Sequence, residues 1–478
     1  MFRYVGRQDF QDDYFGEGLT QADDEEIYEF SIDIDNKVID RFKKKIKDDF
    51  SDLSYPVTDG TLQEKYLDID YVKNLSVHFE NFNWKQHQYF INTFQHFRTE
   101  IEGLRVHFVR SAFEDTYKKI IPLLLLHDWT TSFWSYYKVI PIFSNPNRFG
   151  FDFGVRGQIA FDVIIPSVPG TGFSDSPAKP GFGLIEAARI LCKLMKRLKT
   201  EHFFVHGNGP FGSTLATTVT LICPETVRGL HVINPTMETF VTREHQILRA
   251  AASMYEQFTA ANHPLIQEKN NDQIFKKWPI SLDKQEFFHL QRIFGAFVSD
   301  STFSPTRMLK FQYLRVELLL KSTFTNSLVF NPFFIEIAYA SSAAGTMSFL
   351  LDRWALGTDP NYQNKSVQYL HHFYTVDELL TNTLLCWLTR STPRILELFT
   401  QTALNSLSAE MFRATVKSPT AILITFDKRE KKARDIFEYR YFNISRFTVV
   451  ESGGDYYALQ KPQKFAEDIY GFVESIVG

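Results

Sequence analysis

The chain has 478 residues, a formal net charge of −4, 44% hydrophobic residues and 23% charged residues. This composition is that of a globular protein and excludes a disordered chain. The nearly balanced charge provides no broad phosphate-binding surface, so the sequence predicts no nucleic-acid partner. The length allows two or three domains, or one large domain that contains insertions.

The first segment, residues 1–26, is rich in Asp and Glu and has no continuous apolar run. We therefore predict a flexible acidic leader that is neither a signal peptide nor a transmembrane anchor. No later segment reaches about 18 uninterrupted apolar residues, the length that a membrane-spanning helix needs. The sequence thus predicts a soluble protein.

The three cysteines, Cys192, Cys223 and Cys386, each lie in an apolar segment. An odd number without paired spacing argues against a disulfide framework and against a zinc site. We expect three buried free thiols in a reducing compartment, and we expect no metal and no cofactor.

The segment 27–118 mixes helical and extended patterns. Apolar residues recur at helical spacing in Val38–Ile46 and in Tyr71–Phe79. Between Phe97 and Val109 the pattern alternates about Glu102-Gly103, which predicts a β-hairpin.

Short apolar runs after residue 119 predict strands of a parallel sheet that is covered on both faces. The runs are Ile121–Leu126, Phe161–Pro166, Phe203–Val205, Gly229–Ile233, Ala421–Phe426 and Phe447–Val450. Helical stretches such as Leu184–Leu198 separate them, and Pro462–Ile476 predicts a C-terminal helix. This alternation predicts an α/β fold with a doubly wound, mostly parallel sheet.

The strand pattern is interrupted between residues 236 and 374, where the sequence is helical and rich in Phe, Leu and Ala. We therefore predict a helical lid over 236–374, inserted between two halves of an α/β core at 119–235 and 375–478.

One turn has the pattern of a catalytic site without its side chain. The apolar run at Phe203–Val205 leads into Gly207-Asn208-Gly209-Pro210-Phe211-Gly212 and then into a helical stretch. A strand that breaks sharply into a helix is where an α/β-hydrolase holds its nucleophile. No Ser, Asp or Cys stands at the tip of this turn.

Several ordered phrases make the chain similar to the microsomal epoxide hydrolase family, which includes the insect juvenile hormone epoxide hydrolases. The phrases are Asn83–Gln88, Phe97–Phe108, Leu123–Phe133, Pro166–Ser174, Leu379–Trp387 and Gly453–Pro462. The resemblance runs from about Ile27 to the C-terminus. It implies an α/β-hydrolase fold with an inserted helical lid and an N-terminal epoxide hydrolase domain that wraps the core.

The resemblance also implies a mechanism that can be checked by position. In that family an Asp on the turn attacks the epoxide, a His oriented by an acid activates water, and two lid tyrosines donate protons. In this chain the corresponding positions hold Gly209 or Pro210 for the nucleophile, Asp455 for the base, Asp427 (or Lys428) for the acid, and Phe334 and Phe399 for the tyrosines. None of the proton donors and neither main catalytic residue is retained.

The loop that supplies the oxyanion donors has changed as well. His127-Asp128-Trp129-Thr130 stands where the family has His-Gly-Trp-Pro, so we expect a trans bond between Trp129 and Thr130. Asp128 puts a negative charge beside the place where an anion would form. The third residue that corresponds to the oxyanion loop is Phe211. His206 and Ser213, near the turn, are interpreted as structural residues.

These losses predict a catalytically inactive member of the family. We expect Trp129, Phe211, Phe334, Phe399 and Tyr456 to surround one cavity that binds a lipophilic small molecule. Two alternatives stay open: a cavity filled by its own phenylalanines in an interaction protein whose partner the sequence does not name, and an active hydrolase with an unrecognised catalytic arrangement. The resemblance and the leader together predict a cytoplasmic protein with peripheral contact to the endoplasmic reticulum membrane.

Overall fold

The computed structural model describes residues 13–52, 69–111, 119–149, 159–235, 341–358, 367–404, 411, 414–425, 434, 437–438 and 440–477. All of these residues belong to one compact unit, which Met1–Pro235 and Leu328–Gly478 form. Most of the predicted lid, including Phe334, lies outside the described residues, and so does Asp427. Among the described residues, no helix is long and apolar enough to cross a membrane.

The N-terminal part has the helices and the hairpin that the sequence predicts. Its elements are β1 (Tyr28–Phe30), α1 (Asn36–Asp52), α2 (Ile69–Val77), α3 (Trp84–Ile91), β2 (Gln95–Ile101) and β3 (Leu104–Arg110). The hairpin of β2 and β3 turns at Glu102 and Gly103, both of which have positive φ. The apolar stripe of α1, with Phe42 and Ile46, is buried because it packs against the neighbouring helices.

The prediction of a flexible leader is wrong for residues 13–26. Tyr14 and Phe15 are buried, and the Phe15 ring packs edge-on against Phe182 at 5.0 Å. The Asp23 carboxylate accepts the backbone N–H groups of Glu102 and Gly103, each at 2.8 Å. Two aromatic anchors and an acid that binds the hairpin turn therefore attach this acidic segment to the fold.

In the described part of the chain, nine strands form one sheet in the order β1-β2-β3-β5-β4-β6-β7-β8-β9. The further strands are β4 (Lys119–Leu126), β5 (Ile159–Pro166), β6 (Phe203–Gly207), β7 (Val227–Ile233), β8 (Thr420–Ile424) and β9 (Ile444–Val449). The strands from β5 to β9 pair in parallel, and the N-terminal hairpin joins the sheet antiparallel through β3. The predicted α/β-hydrolase sheet is confirmed.

Helices cover both faces of this sheet. They are α4 (Ile140–Ser144), α5 (Leu184–Arg197), α6 (Gly209–Ile222), α7 (Ala343–Thr358), α8 (Val376–Thr389), α9 (Ser391–Leu404), α10 (Tyr457–Gln460) and α11 (Pro462–Val477). Strand β5 is buried along its whole length because both of its faces are covered. Helix α7 packs against α1, and Asp49 of α1 accepts the Ala344 backbone N–H at 3.1 Å.

The prediction of three free thiols is also wrong. Cys192 of α5 and Cys223, just after α6, form a disulfide with a Cα–Cα distance of 6.4 Å. The sequence hid this pair because the two cysteines are 31 residues apart and meet only when α5 and α6 pack side by side. Cys386 is a buried free thiol. The disulfide removes the observation from which a reducing compartment was predicted.

Candidate functional site

The strand-to-helix turn has its tip at Gly209. Strand β6 ends at Gly207, α6 begins at Gly209, and Gly209 has a φ of +64°. A Cβ atom on Gly207 would lie 2.1 Å from the Gly212 carbonyl oxygen, so the turn closes only with glycine there. Positive φ is the strained conformation in which such a turn presents its side chain. Of the two candidate positions, Gly209 has this conformation, and Pro210 is the next residue of the helix.

The missing side chain of Gly209 would point at two acids. A Cβ atom built on Gly209 would lie 2.9 Å from Cγ of Asp128 and 3.1 Å from Cβ of Asp455. All three residues are buried, and the two acids are far apart in the sequence. The space that a nucleophile's side chain would use is therefore filled by a carboxyl group from another loop.

Asp128 is held in that space by backbone donors. Its Oδ1 accepts the Phe211 N–H at 2.9 Å, and the N–H groups of Trp129 and Gly212 also favour its charged form. Burial, with the nearby Asp455 charge, outweighs these donors and raises the pKa of Asp128 to about 8. At neutral pH the carboxyl group of Asp128 is therefore mostly protonated.

Asp455 has a fixed partner of its own. Asn234, which follows β7, donates from Nδ2 to the Asp455 Oδ1 at 2.9 Å and to the Thr425 Oγ1 at 2.8 Å. The Asp455 backbone N–H donates to the Gly357 carbonyl at the end of α7. No sequence signal singled out Asn234, because its role depends on the adjacency of β7 and β8 in the sheet.

Hydrogen bonds connect the loop that carries Asp128 to helices α7 and α8. The peptide bond between Trp129 and Thr130 is trans, as expected. The Thr130 carbonyl accepts Nε1 of Trp354 at 3.2 Å and Nδ2 of Asn382 at 3.1 Å, and the Thr130 hydroxyl lies 2.7 Å from that of Tyr456. These bonds hold Trp129 and Asp128 in place.

Aromatic rings from helices α6, α7 and α9 and from two loops pack in pairs near this arrangement. Phe211 packs edge-on against Phe399 with ring centres 5.4 Å apart, and Tyr456 stacks on Trp354 at 5.0 Å. Trp129 meets Phe349 edge-on at 5.8 Å. The structure therefore brings Phe211 and Phe399 into contact, and it links Tyr456 to Thr130, the residue after Trp129.

The two residues interpreted as structural have structural contacts. The Ser213 hydroxyl donates to the carbonyls of Gly207 and Ile233 at 3.0 and 2.9 Å. The His206 Nδ1 lies 2.9 Å from the Nδ1 of His231, whose Nε2 lies 3.0 Å from Asp468. Burial, with the neighbouring His231, holds the pKa of His206 well below its usual range, so this histidine is neutral.

The likeness to known proteins covers nearly the whole chain. The family profile described as "Epoxide hydrolase N terminus" matches residues 27–136, and that described as "alpha/beta hydrolase fold" matches residues 121–265. The chain is 26% identical over 470 residues to "Juvenile hormone epoxide hydrolase 2" of Ctenocephalides felis, which covers 98% of this chain and 89% of that protein. It is 25% identical over 469 residues to "Epoxide hydrolase 1" of Sus scrofa, with 97% and 92% covered.

A solved structure has the same fold. The crystal structure of juvenile hormone epoxide hydrolase from Bombyx mori matches with a TM-score of 0.72 and 22% identity, over 97% of this chain and 98% of that one. The sheet, the turn at Gly209 and these matches define an α/β-hydrolase with an epoxide hydrolase N-terminal domain. The chain is therefore similar to epoxide hydrolases along nearly its whole length and matches both their N-terminal domain and the α/β-hydrolase fold.

Proposed function

We propose that this chain does not hydrolyse epoxides and instead binds a lipophilic small molecule. One observation supports the proposal above all: the Asp128 carboxyl group occupies the space beside Gly209 and accepts the Phe211 N–H. The site that would hold a nucleophile and an oxyanion is occupied by the protein's own side chain.

Each chemical step of the family reaction lacks its residue. Ester formation needs a carboxylate on the turn, and Gly209 has no side chain. Ester hydrolysis needs a base, and at the family's histidine position stands Asp455, which Asn234 binds. Oxyanion stabilisation needs free N–H donors, and that of Phe211 is already bonded to Asp128. Neutral Asp128 is a poor nucleophile, and ionised Asp128 would repel an oxyanion.

The binding function is supported by the aromatic side chains and by the names of the relatives. Trp129, Phe211, Phe399 and Tyr456 surround the blocked turn with apolar rings. Apolar walls with few polar groups suit lipophilic ligands. Several relatives carry the name juvenile hormone epoxide hydrolase, and we infer a ligand of apolar character for this chain.

Equilibrium titration with fluorescent fatty-acid and terpenoid probes tests the binding function. We expect saturable binding that Phe399→Asp abolishes, because a carboxylate beside the Phe211 ring would be desolvated. The matched control is Phe399→Leu, which keeps an apolar side chain and should retain binding, with melting curves recorded for both variants. Absence of probe binding to the unmodified protein would favour the alternative of an interaction protein with a self-filled cavity.

A second function is favoured by the same carboxyl group. If Asp128 were a relocated nucleophile, it would attack an epoxide carbon while the ring C–O bond breaks, and the alkoxide would take a proton from water. Incubation with styrene oxide followed by peptide mass spectrometry tests this reaction. An ester on the peptide that contains Asp128 would establish the second function, whereas we expect the unmodified peptide.

A further inference from the structure

The disulfide indicates the compartment in which the chain folds. Cys192 and Cys223 join α5 to the end of α6, and both residues are only half-buried. Disulfides form and persist in oxidising compartments such as the lumen of the endoplasmic reticulum, where glutathione does not keep thiols reduced. A chain that carries this bond is therefore exposed to the enzymes of that compartment, including the one that glycosylates asparagine.

An acceptor for that enzyme lies at the start of strand β9, with Asn443 just before the strand and Ser445 as its second residue. Asn443-Ile444-Ser445 has the Asn-X-Ser pattern of an N-glycosylation acceptor. Asn443 and Ser445 are exposed, whereas Ile444 between them is buried. The two side chains that the transferase reads therefore face solvent, and the one that it does not read anchors the segment.

The backbone around Asn443 is held by two hydrogen bonds. The Asn443 carbonyl accepts the Thr420 N–H at 2.8 Å, and the Phe442 N–H donates to the Val416 carbonyl at 2.9 Å. Asn443 itself belongs to neither a helix nor a strand, and its side chain is exposed. The backbone of Phe442 and Asn443 is thus fixed while the acceptor amide stays at the surface.

The residue before the acceptor is an exposed aromatic residue. The Phe442 side chain is 78% exposed, although Tyr441 beside it is buried. The apolar face of a sugar can pack on such a ring. A glycan on Asn443 would start next to this ring.

We propose that Asn443 carries an N-linked glycan, attached in the oxidising compartment where Cys192 and Cys223 form their disulfide. In the transfer, the Asn443 Nδ2 bonds to C1 of the first N-acetylglucosamine of a lipid-linked diphosphate oligosaccharide. The C–O bond between that sugar and the diphosphate breaks, and the amide nitrogen gives up one proton. The glycan covers Phe442. This places the chain in the secretory pathway and not in the cytoplasm.

A second acceptor pattern in the chain provides a matched control. Asn74-Leu75-Ser76 lies within helix α2, and the Ser76 side chain is buried with its hydroxyl donated to the Lys73 carbonyl at 2.7 Å. The Ser445 hydroxyl also donates to a backbone carbonyl, that of Thr420 at 3.4 Å, but Ser445 is exposed. Because Asn74 lies within a helix and Ser76 is buried, we expect Asn74 to stay unmodified. A third pattern, Asn364-Lys365-Ser366, lies outside the described residues.

The test is peptide mass spectrometry of the full chain purified from its source cells, before and after treatment with peptide N-glycosidase F. We expect the peptide that contains Asn443 only in glycosylated form before treatment, and as aspartate at that position afterwards. In the same cells, Asn443→Gln and Ser445→Ala remove the modification completely, Ser445→Thr retains it, and Asn74→Gln changes nothing.

Alkylation without reduction provides the second measurement. We expect the reagent to modify Cys386 alone in the denatured chain, because Cys192 and Cys223 are paired. Recovery of unmodified Asn443 from the natural protein would overturn the proposed site, even if Asn364 carried a glycan. Alkylation of all three cysteines would overturn the proposed compartment.

Discussion

Replacement of Asp128 by asparagine should change how the stability of the fold depends on pH. Asn keeps an oxygen that can accept the Phe211 N–H but cannot ionise. In the unmodified protein, the pKa of Asp128 is raised by burial and by Asp455 to about 8, above its value of about 4 in an unfolded chain. The folded state therefore keeps a proton that the unfolded state releases.

The sign and the size of the effect follow from proton linkage. A group with a raised pKa contributes stability that is fully present below its unfolded pKa and is lost as the pH rises through its folded pKa. Between these values the unfolding free energy falls by at most about 1.4 kcal/mol per pH unit. From pH 5 to pH 7 the unmodified protein should therefore lose up to about 3 kcal/mol relative to Asp128→Asn.

Urea denaturation of both proteins at pH 5, 6 and 7 measures this difference. The matched control is Asp40→Asn, which makes the same substitution on the exposed face of α1. If the difference between Asp128→Asn and the unmodified protein stays constant from pH 5 to pH 7, Asp128 is not a neutral buried acid and the account of the site fails.

Three further changes test the contacts beneath and beside the site. Asp468→Asn should destabilise the protein by about 3–5 kcal/mol at pH 7 and by less towards pH 3. The reason is that hydrogen bonds and charges from His231 and Arg446 outweigh burial and hold the pKa of Asp468 below its usual range. Urea titrations at both pH values measure the difference. Gly209→Ala should lower the unfolding free energy by about 1–3 kcal/mol. A double-mutant cycle with Asp128→Gly should recover part of this loss. Arg189→Met should lower the melting temperature, because it leaves Glu102 buried without that guanidinium.

The central strands of the sheet could be predicted from the sequence because short apolar runs form them. Ile121–Leu126 is apolar throughout and Phe161–Pro166 is apolar except for Asp162, and the structure has β4 and β5 there. The order of segment 13–26 could not be predicted from the sequence, because its acidic composition is that of a disordered leader. Its order depends on Tyr14 and Phe15, two residues whose partners are distant in the sequence.

For the site, the sequence alone predicted only which catalytic residues are missing. The sequence shows that no Ser, Asp or Cys stands at Gly209, and the resemblance assigns Asp455 to the position of the family's base. It does not show that Asp128 fills the space beside Gly209, since that depends on the approach of the loop after β4 to the turn after β6. The replacement of the family's Gly by Asp128 was the one available signal.

We proposed that the chain has the fold of an epoxide hydrolase and does not hydrolyse epoxides. The decisive measurement is turnover of trans-stilbene oxide and of a juvenile-hormone-like epoxide by the unmodified protein. We expect diol formation indistinguishable from a blank without protein. Diol formation above the blank that Asp128→Asn abolishes would contradict the claim, because it would mean that Asp128 carries out the chemistry that Gly209 cannot.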